Sequence, residues 1–110
     1  MESILALCEL YEHDLLNHTA RWTKDRARQI SAVRQLARWH HTAYGSTLLI
    51  TDLTPDVLFR HREHCLKRSS PNAYNRRRDR LRAFGRWLVG SGRAAENPFD
   101  PIPAMPTQLR

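Results

Sequence analysis

Apolar residues recur along the chain at spacings of three and four, the period of helices packed by one face. In the first stretch Ile4, Leu7, Cys8, Tyr11 and Leu15 form such a stripe, and Ser3 stands where a cap belongs, so a helix is predicted over about Ser3–His18. Glu9, Glu12 and Asp14 lie off the stripe. A second helix is expected to start at Thr23 and carry Ile30, Val33, Ala37, His40 and Tyr44 inward, with Gly45 as its stop. Residues 22–44 would then span roughly 35 Å. Leu48-Leu49-Ile50 has the look of a short strand but no partner strand elsewhere. It is read as an extended connector that tucks Leu48 or Ile50 into the core. Thr54-Pro55-Asp56 is a strong helix start: a capping hydroxyl, proline at the first helical position, and an acid against the dipole. The third helix carries Val57, Leu58, His61, Cys65 and Leu66 and ends near Arg68. Ser70-Pro71 repeats the start signal for a fourth, which buries Tyr74, Leu81, Phe84 and Leu88 between flanking Arg77 and Arg78 and stops at Gly90 and Gly92. Glu96 opens a segment with four prolines. The pattern predicts an all-α protein: a compact four-helix bundle with no sheet over residues 1–95, then a proline-rich extended tail or linker over 96–110.

Size and composition narrow the class. At 110 residues and 41% hydrophobic content, the chain is expected to form one domain with a modest core. Its mean hydropathy is −0.62, and no window approaches the run of about 18 apolar residues that a membrane span requires. The opening MESILALCELYEHD lacks a basic leader, and Cys8 and Cys65 do not make a secreted disulfide framework. These features predict a soluble cytoplasmic protein with reduced thiols and no membrane partner.

Charge is the more informative property. Lys and Arg number 18 against 11 Asp and Glu, a net charge of +7, and 16 of the 18 are Arg. The distribution is uneven: residues 21–38 carry +5 and residues 60–93 carry +9, whereas residues 1–20 carry −4. A basic balance points to a polyanionic partner, because neutralising phosphates releases condensed counterions. Arginine adds a planar fork that pairs two phosphate oxygens or a guanine edge. The acidic first helix is poorly suited to that role, and the second and fourth helices are well suited.

The remaining chemistry is thin. His61, His64 and Cys65 share one helix, but the paired Cys/His spacing of zinc modules is missing, and neither a metal nor any other cofactor is expected. His61 is read as a core-edge imidazole, and His40-His41 as a helix-end pair favoured by the dipole. Trp22, Trp39 and Trp87 fall at helical spacing and are read as packing residues before stacking platforms. Tyr11, Tyr44 and Tyr74 lie on faces read as core, so none is a credible nucleophile.

The run SSPNAYNRRRDRLRAFGRWLVGSGRAAENPFDPI resembles the N-terminal core-binding, SAM-like domain of the tyrosine recombinases, the phage-integrase-like family. The elements that carry the likeness are Ser70, Asn75-Arg76, Leu81-Arg82, Phe84, Trp87-Leu88, Gly92 and Asn97-Pro98. They are preceded by Leu36, Trp39 and the connector Ile50–Thr54. The likeness covers roughly residues 3–102. Two positions depart from it: Arg78 where the family usually has an apolar residue, and Gly85 where a second aromatic often sits. The first is read as an Arg stem snorkelling over the core edge, the second as a thinning of the packing beside the fourth helix.

The resemblance implies double-stranded DNA binding in site-specific recombination and integration. In the family this domain and a C-terminal catalytic domain close as a clamp around the core site, and neighbouring protomers associate on DNA. The chain itself would hold no catalytic residue, since the family's tyrosine nucleophile belongs to the other domain. It is then either an excised domain or a naturally short relative, of bacterial, phage or mobile-element origin. The DNA-binding residues expected from helix geometry are Lys24, Arg28, Arg34, Asn72, Asn75, Arg76, Arg80, Arg82 and Arg86. Most would hold phosphates and set register. Asn72, Asn75 and Arg76, near the start of the fourth helix, are the base-reading candidates. Contact with about six phosphates would give a slope of roughly −5 for log K against log salt. Arg76→Ala and Arg82→Ala are expected to weaken binding to any duplex, and Glu9→Ala to leave it unchanged. The alternatives are a helical protein-interaction module whose Arg face meets an acidic protein surface, and a stand-alone accessory factor without recombinase activity. Competition by bulk duplex separates the DNA reading from the protein-interaction one.

Overall fold

The computed structural model describes residues 2–18 and 24–106. The fold is all-α: α1 (Ile4–His18), α2 (Lys24–Tyr44), α3 (Pro55–Leu66) and α4 (Pro71–Gly90), with a short 3-10 turn at Ile50–Asp52 and no sheet among the described residues. The chain divides into two compact units, Met1–Leu53 and Thr54–Arg110. The division therefore falls immediately before the Thr54-Pro55 helix start. It does not fall at residue 95, where the sequence pattern places a boundary.

In the first unit α1 packs on α2. Ser3 caps α1, its Oγ accepting from the Ala6 amide at 3.1 Å. The predicted stripe is buried at Ile4, Leu7, Cys8 and Tyr11, while Leu15 is half-buried. From α2, Ile30, Val33, Ala37 and His40 are buried as the period requires, joined by Ala32 and Leu36, whereas Tyr44 is exposed. Polar contacts pin the two helices together. The Tyr11 hydroxyl donates to Gln29 Oε1, and Arg26 donates to the Leu15 carbonyl at 3.3 Å. Gly45, at φ +72°, supplies the left-handed residue that ends α2. Thr23 and Trp22, expected at the start of α2, lie outside the described residues.

The connector buries Leu48, not Ile50. Its one sheet-like feature is an isolated antiparallel bridge between Ser3 and Leu49, with the Ile4 amide donating to the Leu48 carbonyl at 2.9 Å. Asp52 then draws the chain into the 3-10 turn by accepting from the Leu49 amide at 2.9 Å. His40 is a buried core histidine, not a solvated helix-end group. Its Nδ1 donates to the Ser46 carbonyl at 3.2 Å and its ring stacks on Tyr44.

The second unit begins with α3, where the Thr54 hydroxyl accepts from the Val57 amide and Pro55 occupies the first turn. Ser70 and Pro71 start α4 in the same way, Ser70 Oγ accepting from the Ala73 amide at 3.1 Å. Leu58, His61 and Cys65 of α3 and Tyr74, Leu81, Phe84 and Leu88 of α4 are buried. Gly92, at φ +77°, closes α4 in a Schellman arrangement, with Arg93 N donating to Leu88 O and Gly92 N to Val89 O.

The segment after α4 is not a free tail. Residues 97–105 run back along α4 as a strap, antiparallel to the helix, and bury Phe99 and Ile102. The contact is regular. Asn97 meets the Arg82–Gly85 turn, Asp100 meets Arg82, the Ile102 carbonyl accepts from Arg78 Nε, and Met105 pairs with Asn75. On α4 these positions (75, 78, 82, 85) step by three, four and three residues and so form one stripe beside the core face. Proline-rich sequence predicts the strap's irregular backbone well. The buried phenyl and isoleucine are what hold it down.

Candidate nucleic-acid interface

The strap decides which α4 side chains remain available. At 100° per residue, Asn72, Arg76, Arg80 and Arg86 fall within an arc of about 120° on the side opposite Tyr74, Leu81 and Leu88. Asn72, Arg76 and Arg86 are exposed and Arg80 is half-buried, and no ion pair or side-chain hydrogen bond engages them among the described residues. The first turn of α4 lies at the end of this row, where the helix dipole favours an anion.

Three expected DNA contacts are already committed within the protein. The Asn75 amide donates to the Met105 carbonyl at 2.9 Å and accepts from the Met105 amide at 2.7 Å, so both of its polar ends are used by the strap. This removes Asn75 from base reading. Arg82 Nε lies 3.0 Å from Asp100 Oδ1. On α2, Arg34 reaches α1 and pairs with Glu12 at 3.3 Å. Lys24 and Arg28, the other α2 candidates, are exposed and carry no such pairing among the described residues.

Arg78 and Gly85 share one structural role. Arg78 keeps its stem along the core edge, its side chain only 14% exposed, and its Nε donates to the Ile102 carbonyl. Gly85 does not thin the packing. A Cβ at this position would lie 1.9 Å from Asn97 Oδ1, so the missing side chain is the seat for Asn97. Asn97 in turn donates to the Arg82 carbonyl and accepts from the Phe99 amide, both at 3.0 Å. Arg78 and Gly85 thus both serve the packing of the strap on α4.

Lys67 and Arg68, exposed just ahead of the α4 N-terminus, are absent from the residues that helix geometry nominates. The +9 charge of residues 60–93 is the signal that includes them. Beneath this region sits a neutral interior. His61 Nε2 lies 3.4 Å from Cys65 Sγ, and burial, reinforced by Arg77 and His64, pushes the His61 pKa down from 6.5 to about 4. Burial raises the Cys65 thiol, Arg77 opposing it, and raises the Tyr74 phenol as well. The Cys65 thiol and the Tyr74 phenol are therefore protonated near neutral pH, and the His61 ring is neutral. No group of three or more His, Cys, Asp or Glu side chains among the described residues is placed to hold a metal ion. No described helix is long and apolar enough to cross a membrane.

The chain matches no protein-family model, and comparisons with curated proteins and with solved structures give no match.

Proposed function

We propose that this chain binds double-stranded DNA as the core-binding domain of a site-specific tyrosine recombinase or integrase, with strand cleavage left to a separate catalytic domain. The observation that carries the reading is the row Asn72, Arg76, Arg80 and Arg86 on the outer side of α4. Three guanidinium groups there have no counterion among the described residues, in a protein of net charge +7. Such a row raises a local positive potential that attracts a polyanion. The order Ser70, Asn75-Arg76, Leu81-Arg82, Trp87-Leu88, Gly92 and Asn97-Pro98 supports the recombinase class over other duplex binders. Arg76, Arg80 and Arg86 hold phosphates, and Asn72 is the base-reading candidate that remains after Asn75 is withdrawn.

The test is fluorescence anisotropy of a labelled duplex titrated at several NaCl concentrations. The three uncommitted arginines of α4 give a slope of about −2.7 for log K against log salt. Arg76→Ala weakens binding by about eight-fold at 0.1 M salt, the loss of one phosphate contact, and Glu9→Ala has no effect. A slope near zero, or equal losses from both variants, refutes the reading.

A further inference from the structure

Arg82 and Arg86 stand one helical turn apart at the lip of a groove of about 270 Å³, which is also lined by Val89, Glu96, Asn97 and Asp100. Arg86 is exposed and unpaired, while Arg82 is turned onto the Asp100 carboxylate at 3.0 Å. We propose that Arg82 and Arg86 form a phosphodiester subsite on the flank of α4, and that Asp100 is an internal competitor for it, occupying Arg82 until a phosphate takes its place. This rests on the duplex-binding reading above.

Two features make the competition effective. Asp100 cannot drift away. Its neighbours Phe99 and Ile102 are each only 3% exposed, its own amide donates to the Asn97 carbonyl, and Asn97 is seated on Gly85. The ion pair itself is loose, with the Arg82 and Asp100 side chains 35% and 55% exposed, so solvent screens it and exchange of partners is easy. A carboxylate oxygen and a phosphate oxygen offer a guanidinium the same hydrogen-bonding geometry. Duplex binding at this flank therefore has to displace Asp100, and Arg82 contributes less than an uncommitted arginine would.

The experiment measures duplex affinity and its salt slope for the full chain and for Asp100→Asn, Glu96→Gln, Arg82→Gln and the Asp100→Asn/Arg82→Gln pair. Asp100→Asn should bind up to about five-fold more tightly at 0.1 M salt, the worth of one exposed ion pair that duplex no longer has to break, with the slope little changed, because the Arg82 phosphate contact is made in both proteins. Glu96→Gln removes the same charge from the same groove without freeing an arginine, and should gain no more than about two-fold. In the Arg82→Gln background the Asp100→Asn gain should fall to about two-fold or less. If the unaltered chain binds duplex with a steep salt slope but Asp100→Asn matches it in affinity, Asp100 is not a competitor. Equal gains from Asp100→Asn and Glu96→Gln would exclude the competition as well. Failure of the unaltered chain to bind duplex overturns the parent reading, and this proposal with it.

Discussion

Replacing Gly85 by alanine should destabilise the second unit, against the ordinary rule for helices. In an open helix interior the change gains about 1 kcal/mol, because alanine loses less backbone entropy than glycine. Here the new methyl would lie 1.9 Å from Asn97 Oδ1 and 2.5 Å from its Cγ, far inside contact distance. Asn97 must swing out and give up its bonds to the Arg82 carbonyl and the Phe99 amide, a loss of about 2 kcal/mol at about 1 each. If Phe99 lifts as well, it forfeits up to about 3 kcal/mol of burial. The net change is then about 1 kcal/mol unfavourable with Phe99 in place and about 4 with it displaced. Urea unfolding monitored by far-UV circular dichroism gives the global value. Hydrogen exchange at the Phe99 and Met105 amides, both bonded to asparagine side chains, reports whether the strap opens locally. In an Asn97→Ala background the obstruction is absent, and Gly85→Ala should become stabilising by about 1 kcal/mol. A Gly85→Ala variant that is stabilised in the otherwise unaltered protein would refute the argument.

Burial of His61 makes stability depend on pH. Its folded pKa of about 4 lies below the ordinary 6.5, so the unfolded chain binds the extra proton. Stability is full above about pH 6.5 and declines by about 3 kcal/mol as pH falls toward 4. His61→Gln should flatten that part of the profile in urea titrations at several pH values. The two free cysteines are buried, and the Cys8 thiol is pushed up to about 11 by burial. A thiol reagent at about pH 8 should label neither until the protein unfolds, so labelling kinetics should track the unfolding rate. Phe99→Ala should destabilise the second unit by about 3–5 kcal/mol, measured by denaturant titration, where removing a residue from a solvated tail would cost nothing. Thr54→Ala and Ser70→Ala should each cost about 1 kcal/mol, read from the same titration, through loss of a helix cap.

The helices were legible because their signals are local. Thr54-Pro55-Asp56, Ser70-Pro71, Gly45 and Gly92 act within one turn of themselves, and the stripes from Ile4 to Tyr11 and from Tyr74 to Leu88 need only a helical period of about 3.6 residues. The strap was not legible, because nothing in ENPFDPIPAM states what Phe99 and Ile102 bury against. Four prolines read as an unpacked linker, yet they suit an extended segment held by side chains from a neighbouring helix. The candidate site suffered from the same gap. Charge located α4, and periodicity separated Arg76 and Arg86 from the core face, but Asn75 and Arg82 were lost to contacts 30 and 18 residues away. Arg34 was lost to Glu12 in the same way, 22 residues distant. Each was engaged by a partner that a helical wheel of one segment cannot display.

The hairpin course of the chain has a practical side. Because Met105 is returned to Asn75, roughly 15 Å back along the helix from Gly85, the described chain finishes beside the beginning of α4 and not beyond its far end. On the proposed duplex reading, a fluorophore placed directly after Pro106 would sit beside the first turns of that helix and report on its surroundings, while one at the Gly90 end would sit a helix length away.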